Sequence, residues 1–153
     1  MRDPLRRGQG FTLFEILLVL AITGSLAMLA APNFAPALAS ARLKATTRDM
    51  ASALRQARNL AMRQRRDVRL TLDIQQHLYR ISGESRIHHV PDEIDLKLFS
   101  ADSEILSPER GSVRFFPDGS STGGRITLST GGRQQFLDIN WLTGQVLLRE
   151  NES

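Results

Sequence analysis

The chain contains no cysteine, and it has only one tryptophan, one tyrosine and three histidines. Without cysteine there can be no disulfide frame, no thiol nucleophile and no cysteine metal site. Charge is also scarce at the start, because residues 11–41 contain a single charged side chain, that of Glu15. With 153 residues, of which 41% are hydrophobic, the chain can form one domain with an appendage, and the composition argues against wholesale disorder.

The charges that are present lie in blocks. The first ten residues carry three arginines and one aspartate, a net charge of +2. Residues 42–69 carry nine basic and two acidic side chains, a net charge of +7, whereas residues 70–153 carry eight basic and twelve acidic side chains, a net charge of −4. The overall net charge of +4 is therefore a poor guide to the partners of the chain.

Residues 11–31 form an apolar run that follows a basic leader at residues 1–10. As a helix, this run would span roughly 31 Å, which matches the hydrocarbon core of a bilayer, about 30 Å thick. A buried core helix would need another domain around it, and the chain is too short to provide one. The run is therefore predicted to be a transmembrane and assembly helix.

Residues 32–66 are predicted to continue as an amphipathic helix. Pro32 and Pro36 each remove a backbone donor, and Gly24 lies upstream, so we expect a bent or weakened stretch around residues 24–36. The predicted buried face recurs at steps of three and four residues and leaves most arginines on the other face. It consists of Leu43, Thr47, Met50, Leu54, Ala57 and Ala61.

Residues 67–153 change to a period of two, which is typical of strands. Glycine-rich turns separate the segments, and one long helix followed by six or seven short strands predicts an α+β protein, with this part as the globular β-rich domain. The expected strands are Val68–Ile74, Leu78–Ile81, Ile94–Leu98, Val113–Phe116, Ile126–Leu128, Phe136–Trp141 and Gln145–Leu148.

The order of the first segments predicts an unusual processing site. A secretory signal peptide is cut after its apolar stretch, but here a small residue, Gly10, stands before it. A cut between Gly10 and Phe11 would remove the charged leader and keep the apolar helix as the new amino terminus. Glycine suits such a site because it lets a protease approach the backbone closely.

Glu15 is a second candidate functional residue, because a carboxylate inside an apolar helix costs roughly 2.5–3.5 kcal/mol on insertion scales. One interpretation is that its side chain reaches the headgroup layer, since it lies only four residues from Phe11. The other is that cleavage creates a positive α-amino group on Phe11, which pairs with Glu15 of a neighbouring subunit and sets the register of assembly.

The run from Gly10 to Glu15, GFTLFE, resembles the type IV prepilin motif. The resemblance implies that a prepilin peptidase cuts after Gly10 and N-methylates Phe11, and that Glu15 is the glutamate of the motif. Pro32 falls where such families place a helix-weakening proline. Phe14 departs from the pattern conservatively, because an isoleucine is more usual there.

Three further segments are similar to the type II secretion minor pseudopilin family called general secretion pathway protein H. They are RLKATTRDMASALRQARNLAMRQRRDVRL, FFPDGSSTGGRITLS and DINWLTGQVLL. The resemblance implies a pilin-like fold, with an N-terminal helix on a small two-sheet β domain in the periplasm and a single-pass inner-membrane anchor. It also implies a non-enzymatic protein at or near the pseudopilus tip, without a cofactor, whose partners are the minor pseudopilins I, J and K and the major pseudopilin G.

A related class, the FimT-type minor pilins of DNA uptake, is the alternative. The basic block at residues 42–69 would then form a phosphate-binding stripe. Against this, the carboxyl end reads LLRENES, whereas the DNA-uptake members concentrate arginines there, and one tryptophan and one tyrosine offer few stacking surfaces. We therefore expect a solvated helix face and no nucleic-acid partner.

An enzymatic or metal-binding site is not expected. The histidines His77, His88 and His89 lie near acidic residues, but adjacent residues of a strand point to opposite faces. The segment at residues 117–124, PDGSSTGG, lacks the lysine and the strand-to-helix context of a phosphate-binding loop and is predicted to be a turn with a glycine-rich bulge. Trp141 is expected to pack in the core.

Overall fold

The computed structural model describes residues 12–30, 34–100, 105–107 and 109–151. The chain divides into two compact units, residues 1–37 and residues 38–153. The first unit contains the helix α1, Leu13–Ala30. The second contains most of the helix α2, Phe34–Gln64, and all the strands.

The buried face of α2 is the predicted one. All six residues of that face are at most 2% exposed, and they recur along the helix at intervals of three and four positions. Two small side chains beside this face, those of Ala51 and Ala53, are also buried. The apolar periodicity therefore identified the packing face residue by residue.

Nine strands follow among the described residues, and they form two antiparallel sheets. The first sheet has the order β3-β2-β1-β6-β5, and the second has the order β4-β7-β8-β9. The strands are β1 Val68–Asp73, β2 Leu78–Ile81, β3 Ile87–His89, β4 Asp95–Phe99, β5 Ile105–Ser107, β6 Arg110–Phe115, β7 Gly124–Thr130, β8 Arg133–Ile139 and β9 Val146–Asn151.

The strand β1 is the centre of the first sheet. Leu70 pairs with Ile81 of β2 on one side and with Val113 of β6 on the other. These side chains join one core cluster with the buried face of α2 and with residues of the second sheet such as Ile126 and Leu137. The predicted α+β class, a helix packed on two antiparallel sheets, is confirmed.

Seven expected strands overlap observed ones, and two observed strands, β3 and β5, were not predicted. Each of these has only three residues and lies at an edge of the first sheet. The strand β3 is defined by its backbone pairing with β2, in which Leu78 pairs with His89 and Arg80 pairs with Ile87. A three-residue segment with two histidines carries too little hydrophobic periodicity to identify it as a strand.

Polar side chains of α2 hold the helix to β9, at one edge of the second sheet, and to the segment that precedes β4, at its other edge. Along β9, Lys44 forms an ion pair with Glu150 at 3.3 Å, and Arg55 donates a hydrogen bond to the carbonyl of Val146 at 3.5 Å. On the other flank, Arg42 pairs with Glu93 at 2.6 Å. In these contacts the basic side chains of α2 bind partners within the domain.

Candidate assembly helix

The amino-terminal end of α1 is capped by its own sequence. The Thr12 hydroxyl accepts a hydrogen bond from the backbone N–H of Glu15 at 3.2 Å, and the Thr12 carbonyl accepts one from the N–H of Ile16. Thr12 is thus the N-cap, and Glu15 stands at the third helical position. Threonine followed three residues later by glutamate is the capping-box pattern, and the acid also suits the positive end of the helix dipole.

The side chains of α1 that the structure describes, at residues 13–26, are all exposed within this unit. Its large apolar side chains are between 49% and 78% exposed, and they lie all around the helix. A helix that is apolar all round is stable only where other helices or lipid surround it. The surface of α1 is therefore suited to packing against other apolar chains.

Two polar side chains in the middle of α1 are internally satisfied. The Thr23 hydroxyl donates to the carbonyl of Val19 at 2.7 Å, and the Ser25 hydroxyl donates to the carbonyl of Ala21 at 2.8 Å. Such bonds to the preceding turn let hydroxyls enter an apolar environment at little cost. Glu15 is consequently the one charged group that the described part of α1 would bring into that environment.

Of the residues predicted to take part in processing or to weaken the helix, some lie within the described part of the chain and others lie outside it. Gly10, Phe11 and Pro32 lie outside the described residues. Gly24 lies within α1, and a Cβ added there would meet nothing within 4 Å. Pro36 is the third residue of α2, where a backbone N–H has no intrahelical partner, so the proline removes no hydrogen bond from α2. The weakening of residues 24–36 stays a prediction.

A search of residues 12–30 and the other described segments finds no helix long and apolar enough to cross a membrane.

The basic block of residues 42–69 is partly engaged within the domain. Besides Lys44 and Arg55, Arg58 donates from Nε to the carbonyls of Gly119 at 2.9 Å and Thr143 at 3.0 Å. Arginines in these contacts hold strands and turns to α2. Eight of the nine basic side chains of this block are nevertheless exposed, in keeping with the expected solvated face.

The histidines do not converge on a site. His88 lies in β3 and stacks on the buried ring of Tyr79, with the ring centroids 4.7 Å apart, whereas His89 is exposed. Burial raises the pKa of the Tyr79 phenol to about 12. Nearby, the bond from Arg42 holds the pKa of Glu93 below its usual range. Within the described segments, no group of three or more His, Asp or Glu side chains is arranged to hold a metal ion.

The glycine-rich segment at residues 117–124 is a turn, as predicted. The N–H of Gly119 donates to the carbonyl of Phe116 at 2.9 Å, and the Asp118 carboxylate accepts bonds from the N–H and hydroxyl of Ser120. The Ser120 hydroxyl holds the pKa of Asp118 below its usual range. The segment leads from β6 into β7, so it lacks the strand-to-helix context of a phosphate-binding loop.

The expectation that Trp141 packs in the core is wrong, because its side chain is 66% exposed. The strand β8 ends at Ile139, two residues earlier than predicted, and Asn140 opens a turn. The alternation of the strand therefore stops before residue 141. The side chain of Leu142, which follows, is 64% exposed as well.

Comparison with known proteins gives one family and one curated relative. The family described as Type II transport protein GspH matches residues 46–143. The Type II secretion system protein H of Xanthomonas campestris pv. campestris is 31% identical over 143 residues, a match that covers 92% of this chain and 83% of that protein.

Solved structures share the fold. The minor pseudopilin EpsH from the Type 2 Secretion System of Vibrio cholerae has a TM-score of 0.57 at 10% identity, covering 71% of this chain and 97% of that one. The type IV minor pilin FimU of Pseudomonas aeruginosa has a TM-score of 0.55 at 17% identity, covering 72% and 93%. These likenesses confirm the predicted pilin-like architecture.

Proposed function

The chain belongs to the family of type II transport protein GspH, and on that premise we propose that it is a minor pseudopilin of a type II secretion system. It is a structural protein at or near the pseudopilus tip, without catalytic activity, that helps to export folded proteins across the outer membrane. Its partners are other pseudopilins, namely the minor pseudopilins I, J and K and the major pseudopilin G.

The observation that carries this proposal is the surface of α1. Large apolar side chains surround the helix, its internal hydroxyls are bonded to its own carbonyls, and Glu15 is its one charged side chain. A helix of this kind gains free energy by packing against equivalent helices. In the bacterial inner membrane, before assembly, residues 11–31 would serve as a single-pass anchor with the β-rich domain in the periplasm.

The register of assembly is proposed to come from Glu15. Removal of residues 1–10 by a prepilin peptidase would leave a methylated α-amino group on Phe11. That cation, on one pseudopilin, would pair with the Glu15 carboxylate of its neighbour in a low-dielectric layer, where an unpaired charge is costly. The surrounding apolar side chains would supply most of the packing energy.

Two substitutions of Glu15 separate this pairing from helix capping. Glutamine can complete a capping box but carries no charge, whereas leucine carries no charge and cannot complete the capping box. We expect Glu15→Gln and Glu15→Leu both to reduce capture of other pseudopilins by the tagged full-length chain, at unchanged processing and membrane insertion. Capture by Glu15→Gln equal to that of the unaltered chain would refute the role of the charge, and reduced capture by Glu15→Leu alone would assign the effect to the cap.

The processing step is tested by intact mass. With a prepilin peptidase present, the chain should lose Met1–Gly10 and gain one methyl group, because the cut is proposed to follow Gly10. A bulky replacement, Gly10→Leu, should block that loss, with Gly8→Leu as a control outside the cleaved bond. An unchanged mass of the native chain, or normal cleavage of Gly10→Leu, would refute the assignment.

The DNA-uptake alternative makes a different prediction. If the basic block of residues 42–69 were a phosphate-binding stripe, the full-length chain in detergent would retard DNA strongly at low salt and weakly at moderate salt. We expect no such binding, because the carboxyl end, LLRENES, carries a single arginine and one tryptophan and one tyrosine offer few surfaces on which bases could stack. Tight, salt-sensitive retardation would favour the alternative.

A further inference from the structure

The turn between β8 and β9, residues 140–144, is held by a dense set of hydrogen bonds and is named here the Trp141 turn. The side-chain oxygen of Asn140 accepts bonds from the N–H groups of Leu142 and Thr143, both at 2.9 Å. The Asn140 carbonyl accepts from the N–H of Gly144 at 2.8 Å, and the Trp141 carbonyl accepts from the N–H of Ser121 at 2.8 Å. The backbone of the turn is thus fixed from several sides.

Arg58 ties the same turn to α2. Its guanidinium bonds the carbonyls of Gly119 and Thr143, so one side chain holds two turns together. The backbones are in close contact at this point, because a Cβ added to Gly144 would lie 2.2 Å from the carbonyl oxygen of Gly119. Gly123 packs against Trp141, with an added Cβ falling 3.1 Å from the Trp141 Cβ.

The side chains at the tip of this rigid turn are largely exposed and take no part in the hydrogen bonds that hold it. Trp141 is 66% exposed and Leu142 is 64% exposed, while the bonds that hold the turn involve Asn140, the backbone and Arg58. A polar residue at either position would leave every one of those bonds intact. A large aromatic and a leucine, displayed on a pre-ordered backbone, have the character of an interface anchor, because little entropy remains to be lost on binding.

A basic groove on α2 lies close to the Trp141 turn. Met62, in its wall, lies against Gly119, whose carbonyl oxygen in turn lies against Gly144, and Arg55, also in its wall, reaches the carbonyl of Val146 in β9. Among the described residues that line the groove, two are arginines and none is acidic. These residues are Ser52, Arg55, Gln56, Asn59, Met62 and Arg63.

We propose that the Trp141 turn and the α2 groove together form a docking surface for a neighbouring pseudopilin of the filament. Trp141 and Leu142 enter an apolar pocket of that neighbour, and carboxylates at the edge of the pocket pair with Arg55 and Arg63. The cations of the groove set the sign of the partner surface, and two adjacent apolar side chains favour an apolar protein pocket over a nucleic acid, since a leucine gains nothing from phosphates. The inference rests on the proposed function and adds to it the place and chemistry of one contact.

The exposure of Leu142 makes the surface accessible to direct cross-linking. A photoreactive phenylalanine analogue at position 142 of the tagged full-length chain, produced in membranes with the other pseudopilins, should give a cross-link to one of them. The same analogue at Ile87, which is 53% exposed on β3, is the matched control and should give none. Mass spectrometry of the product identifies the partner.

Substitutions then test the two parts of the surface. Trp141→Ser with Leu142→Ser should lower pseudopilin capture by about tenfold or more, as expected for loss of an aromatic anchor, whereas Ile87→Ser should leave it unchanged. Arg55→Glu with Arg63→Glu should lower the cross-linking yield at position 142, whereas Arg80→Glu with Arg133→Glu makes the same change in net charge and should not. Unchanged thermal unfolding of each variant excludes misfolding as the cause.

The possible failures are distinguishable. If the unaltered chain co-purifies with no pseudopilin, the proposed function is wrong and this surface with it. If it co-purifies but position 142 cross-links to nothing, or only to a secreted protein or to DNA, the docking surface is refuted while the proposed function stands. Equal capture by the Trp141→Ser, Leu142→Ser variant would have the same meaning.

Discussion

Gly144→Ala tests the close packing of the Trp141 turn on its neighbours. Gly144 has a φ of +62°, and a Cβ at this position would lie 2.2 Å from the carbonyl oxygen of Gly119 and 2.9 Å from Nε of Arg58. Gly131 has a similar φ of +55°, but an added Cβ meets nothing within 4 Å. Gly131→Ala is therefore a control that has the same backbone strain without the clash.

The expected magnitudes follow from these contacts. The left-handed conformation costs an alanine about 1–2 kcal/mol, and the reduced entropy of the unfolded chain offsets about 0.4–1 kcal/mol of that, so Gly131→Ala should lower the free energy of unfolding by about 1 kcal/mol. In Gly144→Ala the carbonyl of Gly119 must also move away from Arg58. Losing that bond to a partly exposed charged group costs about 1.5 kcal/mol or more, which gives a total of about 3 kcal/mol.

Urea unfolding of the full-length chain in a mild detergent, followed by circular dichroism, measures both free energies of unfolding. We expect the urea midpoint of Gly144→Ala to fall well below that of Gly131→Ala, at an unchanged slope. If the two variants lose the same stability within about 0.5 kcal/mol, the packing of the two turns about Arg58 is not as described.

Other perturbations test the core and the titrating groups. Leu54→Ala, at a fully buried position, should cost about 2–5 kcal/mol of unfolding free energy, against less than about 0.5 kcal/mol for Leu147→Ala at a half-exposed one, both read from urea midpoints. Tyr79 is the single tyrosine, so the phenol absorbance of the chain should titrate near pH 12. The stabilising effect of the buried phenol is complete below the unfolded pKa of about 10 and is lost as the pH rises through 12. An absorbance midpoint near pH 10 would contradict the burial of Tyr79. The hydrogen bond from Arg110 lowers the pKa of Asp73, so the Asp73 carboxylate stabilises the fold above about pH 3.9, and this stabilisation is lost as the pH falls through the lower folded pKa. The unfolding free energy of Asp73→Asn should therefore depend less on pH in acid. The same acid dependence in the variant and the unaltered chain would contradict the contact.

The fold was predictable where a local pattern decided it. The face of α2 follows from a period of 3.6 residues, and strands such as β1 and β7 follow from alternation, because each element buries one face against a common core. The strand β3 could not be found in this way, since Ile87–His89 becomes a strand only through its pairing with β2.

The charged residue of the candidate assembly helix was predictable from the sequence, but the contacts of Thr12 and the exposure of Trp141 were not predicted. Glu15 was identified because a lone acid in an apolar run is costly, and the Thr12–Glu15 capping pattern was a signal in the same residues that went unused. Trp141 is exposed because β8 ends at Ile139 and Asn140 opens a turn, in which the Asn140 side chain accepts bonds from the N–H groups of Leu142 and Thr143. The alternation of apolar residues does not by itself show where the strand ends.

Export by the host cell tests the central claim most directly. Deletion of the gene should leave secreted proteins in the periplasm, and expression of the unaltered chain, but not of the Glu15→Leu chain, should restore their release. Normal export in the deletion strain, combined with a loss of DNA uptake, would contradict the assignment to a secretion pseudopilus.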